Sequence, residues 1–200
     1  MSKKLYTVIR VSYKEYLETW ADLIHAFYQQ GMSDDVLFQE LQMSEEAQVH
    51  FSLELSTVLS VIAVLSFSSK PKLCTSTKHR DALLEQIPAE VYKKVLPDAD
   101  QETLDACNNY FGAKRNIFSQ ICKNIYSNNA KKRQGEIIGF ARYLAAQVSG
   151  KDEASNAIAL EKLGILLSSA CDSFMMLIGN TVQDTIQLDG KPSFSVKKEK

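Results

Sequence analysis

Residues Ser44–Phe67 read SEEAQVHFSLELSTVLSVIAVLSF, and this stretch decides the fold. Ser44 is suited to cap a helix, and Glu45 and Glu46 sit favourably against the positive end of the helix dipole. Ala47, Phe51, Leu55, Val58, Ile62 and Leu65 follow at steps of three and four, which is one face of an α-helix. Leu59, Val61 and Val64 widen that face, so the spacing predicts a helix buried at the centre of a bundle. Leu55–Ser69 carries no charge over fifteen residues, with Glu54 before it and Lys70-Pro71-Lys72 after it. It falls short of the roughly 20 residues that cross a bilayer. A soluble cytoplasmic protein with no membrane partner is therefore expected.

Helical spacing continues in both directions. Upstream, Tyr13, Tyr16, Leu17, Trp20, Ile24, Phe27 and Tyr28 line one face, Ser12 and Glu15 form a capping box, and Gly31 is read as the stop. Ser33 then caps a short helix to Leu41. Downstream, 68–76 is a loop rich in Ser, Lys and Pro. A short helix to Gln86 follows, then another with Pro88 in its first turn, ended by Pro97. Asp98 or Asp100 caps a long helix to Tyr126, and Asn128-Asn129 marks a break or weak point. Further helices cover Ala130–Ser149 and Glu153–Ile178. The N-terminal LYTVIRV reads as a strand or arm, 181–188 as extended chain and 189–200 as a tail. The expected fold is all-α: a single-domain bundle, residues 1–188, of roughly six to eight helices around a central apolar one. A sub-boundary is possible within 68–100.

Composition narrows the function classes. The chain has 200 residues, with 23 Lys and Arg against 24 Asp and Glu, a net charge of −1, which excludes a uniformly basic packaging protein. Hydrophobic residues at 45% exclude wholesale disorder. Cys74, Cys107, Cys122 and Cys171 lack metal or redox spacing and are read as reduced thiols. No Walker loop, nucleophile elbow or dinucleotide glycine pattern is present. Arg115-Asn116 invites comparison with helical ribonucleases, but no histidine follows residue 79 to act as the base. No catalytic residue, cofactor or metal is assigned.

One helix-borne constellation supports an alternative. Glu46, His50 and Glu54 are four residues apart, and Glu54 falls about 60° from the centre of the core stripe. A desolvated carboxylate there suits a metal-assisted or acid–base enzyme. The other reading is a boundary carboxylate paired with a Lys or Arg. A third possibility is a protein-only scaffold.

The charge is informative once divided along the chain. Residues 1–69 carry net −5, whereas 114–142 carry net +6. The latter holds Lys114, Arg115, Lys123, Lys131, Lys132, Arg133 and Arg142 against Glu136 alone. Asparagines and aromatic residues lie between the cations, a composition suited to a single-stranded nucleic-acid backbone. The sequence reading is a non-catalytic helical subunit of a larger assembly, contacting nucleic acid through those seven side chains without base specificity. Its acidic first third would meet the basic surface of another subunit, or of another copy, head to tail. In size, all-helical character and lack of a catalytic set, the chain is similar to the small subunits of CRISPR effector complexes. That resemblance implies a strand track lined by cations from successive copies.

Overall fold

A computed structural model describes residues 6–69, 77–122, 124–149, 156–186 and 192–199. Seven helices occupy most of it: α1 Tyr13–Met32, α2 Asp35–Leu41, α3 Glu45–Ser66, α4 Thr77–Val95, α5 Gln101–Ile121, α6 Ala130–Val148 and α7 Ala157–Asn180. They form an all-α single-domain bundle. Strands β1 Tyr6–Ser12, β2 Thr181–Ile186 and β3 Pro192–Glu199 make a small antiparallel sheet in the order β1-β3-β2.

The central helix is where the apolar run places it. In α3 every residue from Glu54 to Val64 is buried, and α1, α4, α5, α6 and α7 all pack against it. The caps follow side-chain chemistry. Ser12 and Glu15 close the capping box of α1, Ser44 accepts from the Ala47 amide, Asp100 from Thr103 and Asn129 from Lys132. The short helix α2 is capped by Asp34 rather than Ser33, and it ends on Gln42 in the left-handed conformation at φ 52°.

Four expectations change. Gly31 does not stop α1; it lies inside the helix at a close crossing. A Cβ there would sit 2.6 Å from Leu55 Cδ2 and 3.0 Å from Leu166 Cδ2. Two short helices before Pro97 are in fact one, α4, with Pro88 inside it. Burial of Leu83, Ile87, Val91 and Tyr92 along one face holds α4 together across the missing amide donor. The long helix predicted to reach Tyr126 ends at Ile121, and 124–129 form a turn before α6. Most of the expected tail is strand. Residues 193–199 pair with β1, and Phe194 is fully buried, stacked on Tyr16 at 3.9 Å between ring centroids. The alternation of Phe194 and Val196 was too short a signal to outweigh the lysines around it. Residues 189–191 and 200 lie outside the described residues.

By length and composition α3 and α7 are each apolar enough to cross a membrane. In α3 72% of the apolar window is packed inside the protein; in α7 the share is 44%.

Candidate functional site

The first cation of the basic segment is engaged inside the bundle. Lys114 sits on α5 facing α3, its side chain only 21% exposed. Its ammonium is 3.6 Å from Glu54 Oε1 and donates to the Tyr143 hydroxyl. It also lies 4.9 Å from the ring centre of Tyr110 and 5.0 Å from that of Tyr143. Glu54, on the central helix, is fully buried. Tyr110 donates to its Oε1, and Tyr143 donates to its Oε2 at 2.7 Å. His50, one turn before it on α3 and 46% exposed, approaches Oε1 at 3.7 Å. Helices α3, α5 and α6 therefore meet on one carboxylate that has two phenol donors and a cation beside it.

Electrostatics in this cluster follow from burial and pairing. Burial works against the charged form of Lys114, but the hydrogen bonds to Tyr143 and Tyr110 and the charge of Glu54 outweigh it, so its pKa is raised. Burial raises the Tyr110 and Tyr143 phenols, and the adjoining carboxylate raises them further. The expected pairing of Glu54 with a basic side chain is present, and Lys114 is that side chain. Both carboxylate oxygens accept a hydrogen bond, so Glu54 is occupied as an acceptor. Among the described residues, no three His, Cys, Asp or Glu side chains gather to hold a metal.

The other described cations lie on α5 and α6. Arg133, in the first turn of α6, reaches Asp172 of α7 at 3.7 Å. Arg142 is on the exposed outer face of α6. Lys123 lies outside the described residues. Lys131 and Lys132 are exposed in the first turn of α6, which carries no acidic residue. Arg115 lines an open groove of about 540 Å³ with Arg80, Asn116 and Ser119, where Asp81 and Glu85 also stand. A second groove, about 470 Å³, shares Leu65 and Ser119 with the first and continues past Asn124 and Ser127. Ser127 in turn accepts from the amide of Asn129, the α6 cap. The two grooves together run from α4 to the start of α6.

Sequence reasoning missed Arg80. It is remote in sequence from the basic segment, and it pairs with its neighbour Asp81 at 3.5 Å. Its Nε is buried and has no hydrogen-bond partner among the described residues. The described cysteines are Cys107, Cys122 and Cys171, all free thiols; Cys74 lies outside the described residues. Burial pushes Cys171 up to about 11 and Cys122 up to about 12, the latter helped by Glu136.

Fold and surface together define an all-α bundle with a buried carboxylate–lysine–tyrosine cluster and a double groove that runs from Arg80 past Arg115 to Ser127. No family model matches the chain, and neither does any curated protein or solved structure.

Proposed function

We propose that this protein is a non-catalytic, cytoplasmic helical subunit of a nucleic-acid-containing assembly, of the kind CRISPR-type ribonucleoproteins use. A single strand would follow the double groove, with its phosphates at Arg80, Arg115 and Lys132 and its polar edges at Asn116, Ser119, Asn124 and Ser127. The observation that carries the reading is the double groove that holds Arg80 and Arg115 and reaches Ser127, two residues before the α6 cap. Beside it, the positive end of the α6 dipole and the lysines of its first turn favour an anion together. Lys114 is withdrawn from the contact set, because its charge is already matched by Glu54. The same cluster argues against the acid–base alternative, since the carboxylate is hydrogen-bonded on both oxygens.

The test is binding of a fluorescent single-stranded oligonucleotide across a salt series. Three or four contacted phosphates give a log–log slope of roughly −2 to −3. Arg115→Glu with Lys132→Glu removes two contacts and flattens the slope by about 1.4. No binding at low ionic strength, or a slope unchanged in the double variant, sinks the reading.

A further inference from the structure

Phosphates and base edges account for the cations and amides of the double groove, but not for its two carboxylates. Asp81 and Glu85 of α4 line the same open space of about 540 Å³ as Arg80, Arg115, Asn116 and Ser119. They stand four residues apart, so they share one face of α4, about 6 Å from each other along its axis. Both are exposed. Asp81 is held beside the Arg80 guanidinium at 3.5 Å while its side chain stays 59% exposed. Among the described residues, no hydrogen bond or ion pair occupies Glu85 or Arg115.

An ionised carboxylate only accepts hydrogen bonds. In a groove that holds phosphates it repels the ligand unless the ligand brings a donor. A nucleic-acid strand has two kinds of donor. Those on the bases change with the sequence, whereas the ribose 2′-hydroxyl is on every nucleotide of RNA and on none of DNA. A groove that follows a backbone without reading bases can satisfy both carboxylates only through that hydroxyl. An O–H donated to an ionised oxygen is also stronger than a neutral pair. Two arginines and two carboxylates balance in charge. That balance suits a ligand that alternates phosphates with hydroxyl donors better than one that presents phosphates alone.

We propose that the groove between α4 and α5 is a ribose site that selects RNA over DNA. Asp81 and Glu85 accept from 2′-hydroxyls, while Arg80 and Arg115 hold phosphates of the same strand. The inference rests on the nucleic-acid reading above and adds to it the class of strand.

Fluorescence anisotropy with three strands of equal length tests it: oligouridylate, oligodeoxyuridylate and 2′-O-methyl oligouridylate. Their bases are identical and carry no amino group, and only the first strand has the hydroxyl donor. Wild type is expected to bind the first about tenfold tighter than either of the others, the worth of one hydrogen bond to a charged group. Asp81→Ala with Glu85→Ala should bring the three affinities together. It should also tighten binding of the deoxy strand, because negative charge beside the phosphates is removed. Both positions are exposed, and circular dichroism checks that the variant folds. Three results overturn the proposal while leaving the salt-dependent strand reading in place. They are a wild type that binds all three strands alike, a methylated strand bound as tightly as the hydroxyl strand, and a preference unchanged in the double variant. Binding of none of the three at low ionic strength overturns both.

Discussion

Lys114 and Glu54 face each other 3.6 Å apart across the α3–α5 contact, and the glutamate has no exposed surface. A buried carboxylate of this kind is costly unless paired, and two phenols and an ammonium satisfy it here. The cluster joins three helices that otherwise meet through apolar packing.

Removing the cation alone should therefore be worse than removing both charges. Lys114→Met is expected to lower unfolding free energy by about 3–5 kcal/mol, because a buried carboxylate is left without its counter-charge. The double variant Glu54→Leu, Lys114→Met should recover most of that loss. Urea unfolding of wild type and of the single and double variants measures it. A double variant no more stable than Lys114→Met would show that the cluster is not a charge pair.

The same cluster sets the alkaline limit of stability. Lys114 has a raised pKa through Tyr143, Tyr110 and Glu54, against the opposing effect of burial, and Tyr92, Tyr110 and Tyr143 are raised chiefly by burial. Groups whose folded pKa exceeds the unfolded value contribute stability that is complete below the unfolded pKa and lost as pH rises toward the folded one. The ordinary values are 10.0 for tyrosine and 10.5 for lysine. Unfolding free energy should stay level up to about pH 8 and fall above about pH 9, the buried thiols, whose ordinary value is 9.0, giving way before the phenols and Lys114. Tyr143→Phe should make that fall shallower. A stability that does not decline between pH 9 and 11 would contradict the arrangement.

Two glycines in helices should respond in opposite directions to the same substitution. Gly31→Ala drives a methyl into Leu55 and Leu166, and overpacking of about 1–3 kcal/mol outweighs the gain in helix propensity. Gly139→Ala meets open space, and the helix gains up to about 1 kcal/mol. Thermal melts of dilute protein should show Tm lowered in the first and raised in the second.

The bundle was legible because apolar spacing survives in sequence: Phe51, Leu55, Val58 and Ile62 announce α3 before any partner is known. The caps at Ser12 and Ser44 were legible too, and Asp100 as one of two candidates, since each is a local hydrogen bond; Asn129 reads in sequence only as a break. What failed was non-local. Gly31 looks like a stop until Leu55 and Leu166 cross it, and Pro88 looks like a start until α4 packs along α1. The pairing of Glu54 with a basic residue was foreseeable from its place on α3. That the residue would be Lys114, with Tyr110 and Tyr143 beside it, depends on how α5 and α6 are set against α3. Arg80 entered the groove for the same reason, through tertiary placement alone.

The small sheet ties the beginning of the described chain to its end, with Tyr6 opposite Glu199 and Ser12 opposite Ser193. During synthesis β1 leaves the ribosome early, while β3, its hydrogen-bonding partner, emerges only after every helix. A nascent chain thus carries an unpaired strand edge throughout translation, the kind of template to which other extended chains attach. Closing a loop of this length is also slow relative to forming helices. The helical bundle is therefore expected to consolidate first, with β3 joining β1 in a later step, so that the sheet closes over a core already formed.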